Sequence, residues 1–130
     1  MRAVDTNVLA RLFVLDDAGQ RAAARRAIAA DPIFVPKTVM IELEWVLRGA
    51  YGQPRATIVA TMEAILTTVN VDVEDPTAIT RAVAWFKRGM DFADALHLAS
   101  SGHVDSFLTF DVSMRRRAAA IGVRPPVASP

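Results

Sequence analysis

Arg2-Ala3-Val4-Asp5-Thr6-Asn7-Val8-Leu9 opens the chain with a short apolar strand, an acid at its carboxyl end and the start of a helix. Thr6-Asn7 can cap that helix, in which Val8, Leu9, Leu12 and Phe13 recur at helical spacing. Outward from this unit the pattern repeats. Asp16-Asp17 interrupt, an alanine-rich helix runs from Ala18 to Ala30, and Asp31-Pro32 break it before Ile33-Phe34-Val35, a buried strand closed by Pro36. Thr38 reads as the cap of a helix to about Ala50, and Pro54 suits the first turn of the next, to about Thr67. Val69-Asn70-Val71 reads as a third strand, followed by helices from Asp75-Pro76 to Arg88 and from Asp91 to Ser101. Phe107 to Phe110 is a fourth strand, Ser113 to Ile121 a last helix, Gly122-Val123 a fifth strand and residues 124–130 a loose tail.

Short apolar strands alternating with helices predict an α/β fold, with a parallel sheet of four to five strands covered on both faces. In such a sheet ligands gather beyond the carboxyl ends of the strands, near a reversal of strand order. That rule selects the polar residues worth weighing.

The totals set the limits. At 130 residues the chain has room for one compact domain, and 52% hydrophobic residues with a mean hydropathy of +0.26 suit a well-buried globule. Fifteen Lys+Arg against fourteen Asp+Glu leave a net charge of +1, so any nucleic-acid contact must come from local clustering. The absence of cysteine excludes disulfides, Cys-ligated zinc and thiol nucleophiles. Asp5 interrupts any signal-peptide stretch, and no run reaches the roughly 18 apolar residues of a membrane span, so a cytoplasmic protein is expected.

Asp5 ends the first strand and Asp111 follows the fourth. Glu42 lies in Val39-Met40-Ile41-Glu42-Leu43-Glu44-Trp45-Val46-Leu47, where Ile41, Trp45, Val46 and Leu47 suggest a broad apolar stripe. Glu42 borders that stripe, whereas Glu44, about 160° round the helix, reads as solvated. Asp91 and Asp94, at i and i+3, share a face and repel one another unless something positive sits between them. Carboxylates from separate elements, without a His or Cys set, suit a hard cation such as Mg²⁺, which would activate water and neutralise a phosphate. Plainer roles stay open: Asp5 also suits a strand-end cap, Asp91 and Asp111 helix N-termini, and Glu42 a solvated edge. His97 and His103 read as ordinary surface or core residues.

The motifs Val4-Asp5-Thr6-Asn7-Val8-Leu9, Glu42-Leu43 with Trp45-Val46-Leu47, Asp91-Phe92-Ala93-Asp94-Ala95 and Leu108-Thr109-Phe110-Asp111 occur in that order. Together they resemble PIN-domain proteins of the VapC kind, the toxins of type II toxin–antitoxin modules, over about residues 2–123. The resemblance implies a PIN-like α/β/α sandwich over residues 1–123, with 124–130 as a tail. It implies a Mg²⁺- or Mn²⁺-dependent endoribonuclease that leaves a 5′-phosphate and a 3′-hydroxyl. Asp5, Glu42 and Asp94 would be the principal acids around the metal and Asp111 the fourth, with Asp91 a rival to Asp94. Thr6 and Asn7 would support Asp5, and Thr109 would orient the site. Such toxins pair with a small antitoxin, are commonly homodimeric and cut structured RNA. The chain departs from the pattern after Asp111, where Val112-Ser113-Met114 replaces a polar residue and an aromatic.

Arg115-Arg116-Arg117 follow Asp111 closely enough to neutralise phosphates beside a cut, Arg115 and Arg116 foremost. A solvated helix face is the plainer reading, because three consecutive residues cannot share one face. Leu12, Trp45 and Tyr51 are either core or a groove for an antitoxin helix. A non-catalytic binding module and a small-molecule phosphatase are the competing functions.

Overall fold

The computed structural model describes residues 1–14 and 18–130, so the Asp16-Asp17 break lies outside the described residues. Elements follow in the order β1 (Arg2–Ala3), α1 (Thr6–Phe13), α2 (Ala18–Ala30), β2 (Ile33–Val35), α3 (Lys37–Gly49), α4 (Arg55–Thr67), β3 (Val71–Val73), α5 (Pro76–Lys87), α6 (Phe92–Ala99), β4 (Phe107–Leu108), α7 (Val112–Ile121) and β5 (Val127–Ala128). The chain divides into two compact units, Met1–Pro76 and Thr77–Pro130. None of the helices among the described residues is long and apolar enough to cross a membrane.

In the first unit β1, β2 and β3 form a parallel sheet in the order 1-2-3, without a reversal. Central β2 pairs Ile33 with Arg2 and Val71, and its Ile33 and Val35 are buried. Edge strand β1 is exposed and is tied down by charge instead. The Met1 ammonium and Arg2 Nε reach the two carboxylate oxygens of Asp31 at 2.8 and 3.0 Å. Parallel neighbours need long crossovers, and each one here spends two helices: α1 and α2, then α3 and α4. The helices bury residues at the spacing of one face: Ile58, Val59, Met62 and Ile65 on α4, and Met40, Leu43, Glu44 and Leu47 on α3. Helix α3 starts at Lys37, one residue before the Thr38 cap expected, because Glu74 Oε1 accepts the Lys37 N–H at 2.8 Å. Strand β3 lies two residues beyond the expected Val69-Asn70-Val71. Asn70 takes a left-handed turn (φ 67°), and the alternation that fits the pleat is half-buried Val71, exposed Asp72 and buried Val73.

In the second unit α5 buries Ala78, Ile79, Ala82, Val83 and Phe86, and Phe86 meets Phe92 of α6 edge-on at 5.6 Å. Between these helices Gly89 takes φ +106°, a backbone conformation that favours glycine, and a Cβ there would lie 3.2 Å from the Arg117 guanidinium. Strand β4, helix α7 and strand β5 make a small βαβ unit, with Phe107 paired to Val127 and Leu108 to Ala128.

Three expectations need correcting here. The parallel sheet has three strands, not four to five, because β4 takes its partner from the C-terminal segment. Phe107 N–H bonds Pro126 O at 2.9 Å and Thr109 N–H bonds Ala128 O at 3.0 Å. The fifth strand forms at Val127–Ala128 rather than Gly122-Val123, since Gly122 is the left-handed cap that ends α7 (φ 77°). Residues 124–130, read as a loose tail, therefore carry a strand.

Candidate active site

Three of the five candidate acids begin helices. Asp5 Oδ1 accepts from Val8 N at 3.0 Å at the start of α1, Asp91 Oδ2 from Asp94 N at 3.1 Å at α6, and Asp111 Oδ1 from Met114 N at 3.0 Å at α7. At α1 the cap is Asp5 rather than the expected Thr6-Asn7, and the plainer reading of Asp91 and Asp111 as helix starts is correct in geometry. It does not compete with ligation. A carboxylate has two oxygens and about four acceptor positions, and capping takes one. A helix N-terminus also favours negative charge, which suits an acid at the capping position.

The first unit holds Asp5, Thr6, Asn7 and Glu42. Asp5, Asn7 and Glu42 are exposed. Thr6 is buried, and its Oγ1 has no hydrogen-bond partner among the described residues, an orphaned polar atom beside Asp5. Helix α1 lies against α3, so the elements that carry Asp5 and Glu42 are neighbours. On α3 the roles of the two glutamates are reversed from expectation. Glu44 is buried and Glu42 is solvated, while Trp45 is 65% exposed. The apolar face runs through Met40, Leu43 and Leu47, and Glu44 falls on it. Its carboxylate tolerates the position because Arg48 Nε, one turn on, reaches Oε1 at 2.9 Å.

The second unit holds Asp91, Asp94, Thr109, Asp111, Arg115 and Arg116. Asp94 is the half-buried acid, in the first turn of α6, with Asp91 and Asp111 exposed. Its pKa is raised from 3.8, first by burial, then by the charges of Asp91 and Asp111, and is partly lowered by His97. Asp94 and Asp111 come from different elements, yet Asp94 feels the charge of Asp111. Among the described residues no three His, Asp or Glu side chains converge as a metal cage does. The chemistry of the donors nonetheless fits a hard divalent cation: oxygens only, in mutual repulsion, with an uncapped oxygen left on each N-cap acid.

Loop Thr109-Phe110-Asp111 joins β4 to α7. Thr109 Oγ1 accepts the Asp111 N–H at 3.0 Å, and Arg115 Nη1 donates to Thr109 O at 2.8 Å. Arg115 is half-buried, whereas Arg116 and Arg117 are exposed. Sequence reading misses the Arg115 bond, because a bond to a carbonyl six residues back leaves no periodic trace.

Compared with known families, residues 2–120 match the family model described as PIN domain. No curated protein and no solved structure matches the chain.

Proposed function

This chain belongs to the PIN-domain family, whose members are nucleases that generally use divalent metal, and from that premise we propose that it is a Mg²⁺- or Mn²⁺-dependent endoribonuclease. It acts in the cytoplasm as the toxin of a toxin–antitoxin pair, is held by a small antitoxin protein and works as a homodimer. The observation that supports this best is Asp94: a half-buried carboxylate kept among like charges is an arrangement that a bound cation would relieve.

In this reading Asp5, Glu42, Asp94 and Asp111 hold the cation through carboxylate oxygens. Asp94 is preferred to Asp91 as the third ligand because it is the half-buried acid and feels the charges of both Asp91 and Asp111. The cation, when bound, supplies Lewis-acid activation of water and charge neutralisation at the phosphate. Thr6 and Asn7 support Asp5, and Thr109 orients Asp111 through the bond to its N–H. Arg116, with the donors of Arg115 that Thr109 does not take, neutralises the phosphates flanking the cut. Hydrolysis adds the oxygen of water to phosphorus and breaks the P–O3′ bond, giving a 5′-phosphate and a 3′-hydroxyl.

The test is total RNA incubated with wild-type protein or Asp94→Asn, each with Mg²⁺, Mn²⁺ or EDTA, and new 5′ ends mapped by sequencing. Discrete cuts that need both metal and Asp94 are expected. Folded protein that neither cuts RNA nor binds metal by calorimetry would replace this reading with that of a binding module.

A further inference from the structure

The connection from β4 to α7 has little apolar packing to hold it. Phe110 is 82% exposed, Leu108 is 57% exposed and Val112 is 48% exposed, so burial does not fix where Asp111 sits. Polar bonds do. Thr109 N–H is tied to Ala128 O at 3.0 Å, Asp111 N–H to Thr109 Oγ1 at 3.0 Å, and Asp111 Oδ1 to Met114 N–H at 3.0 Å. Arg115 closes this set from the first turn of α7. Its backbone N–H bonds Asp111 O at 3.1 Å, while its Nη1 reaches back to Thr109 O at 2.8 Å. One residue thereby grips the loop on both sides of Phe110. Of the three consecutive arginines, Arg115 is the half-buried one, and a guanidinium bond to a carbonyl shielded from water is stronger than the same bond in solvent.

We propose that Arg115 is a positioning residue for Asp111: its guanidinium, bonded to Thr109 O, sets the loop that presents the free Asp111 oxygen to the cation. The proposal rests on the reading of Asp111 as a metal-holding acid. It gives the Arg115 side chain a role separate from binding RNA phosphate. A single bond to a carbonyl needs one donor rather than a planar fork, so lysine can replace arginine here, whereas neither alanine nor a shorter amide can.

The experiment compares the full chain with Arg115→Ala, Arg115→Gln and Arg115→Lys, by Mn²⁺ calorimetry, by kcat and KM on a cleaved RNA, and by hydrogen exchange of the Phe110 and Asp111 amides. Arg115→Ala and Arg115→Gln are expected to weaken Mn²⁺ binding about tenfold, the effect typical of losing a residue that orients a metal ligand. They lower kcat by more than they raise KM and speed exchange at Asp111, and Arg115→Lys restores most of each. Should Arg115→Ala fail to fold, the glutamine and lysine pair carries the comparison. Unchanged Mn²⁺ affinity and unchanged exchange, with only the salt dependence of RNA binding reduced, would overturn the proposal in favour of a direct bond to phosphate. If the wild-type chain neither cuts RNA nor binds Mn²⁺, the nuclease reading fails by itself. Amide exchange then decides the grip alone: faster at Asp111 in Arg115→Gln upholds it, and no change removes it.

Discussion

At the scale of the residue, the site acids carry two jobs that substitution can separate. Asp111 both caps α7 and offers a free oxygen to a cation. Asparagine keeps an acceptor for the Met114 N–H but loses the charge, and alanine loses both. Asp111→Asn is therefore expected to keep its melting temperature while cleavage falls. Asp111→Ala loses cleavage and also about 1 kcal/mol of stability in urea unfolding. Equal stability in the two variants would mean that the cap bond contributes nothing. Asp94 makes the opposite case. With its folded pKa raised above 3.8, its contribution to stability is fully present below that value and is lost as pH rises through the folded pKa. In EDTA, thermal melts of Asp94→Asn should thus match wild type near pH 3.5 and exceed it by a few degrees at pH 7. Added Mn²⁺ should reverse the order at pH 7 by stabilising wild type alone. A variant less stable than wild type in EDTA at pH 7 would show that Asp94 is held by bonds rather than by a missing cation.

At the scale of the element, what can and cannot be read from sequence has a physical explanation. The helix-borne acids of the second unit are legible, since Asp91-Phe92-Ala93-Asp94 places a cap and a first-turn acid by local rules. Helix α3 misleads because Trp45 looks like core and a glutamate looks like solvent. The backbone puts Glu44 inside with Arg48 as its partner, a pairing that composition does not reveal. That pair makes a prediction. Arg48→Ala leaves a buried carboxylate short of a partner and should cost about 1–2 kcal/mol in urea unfolding, less than a fully buried pair because Arg48 itself is half in water. Adding Glu44→Met should recover most of that loss, and a double variant no better than the single would show that packing, not charge, is at stake. Strand pairing is the other blind spot. Residues of a two-residue strand such as β5 carry almost no pattern, and only the pairing with β4 defines it. Removing residues 124–130 should speed amide exchange at Phe107 and Thr109 and lower the melting temperature by several degrees, whereas a dispensable tail would leave both unchanged.

At the scale of the whole molecule, the near-neutral total conceals a division of charge. Residues 77–130 hold Arg81, Lys87, Arg88, Arg115, Arg116, Arg117 and Arg124 against Asp91, Asp94, Asp105 and Asp111, a net +3, and the remaining residues carry a net −2. Three of those four acids belong to the candidate site, which leaves Asp105 against Arg81, Lys87, Arg88, Arg117 and Arg124 in the rest of the unit. A polyanion attracted by local rather than bulk charge should therefore be held by this unit. Each phosphate neutralised releases counterions, and for a single strand every such neutralisation adds about 0.7 to the steepness of log K against log salt. Binding of a short RNA by the Asp94→Asn chain, titrated in EDTA across a range of NaCl, isolates this term from cleavage. Arg116→Ala and Arg117→Ala should each flatten the slope by about that amount. Arg25→Ala and Arg26→Ala on α2, exposed cations of the first unit, should leave it unchanged. The reverse pattern would move the RNA path to the first unit, and the second unit's charge would then have to be explained by solubility or by an acidic protein partner.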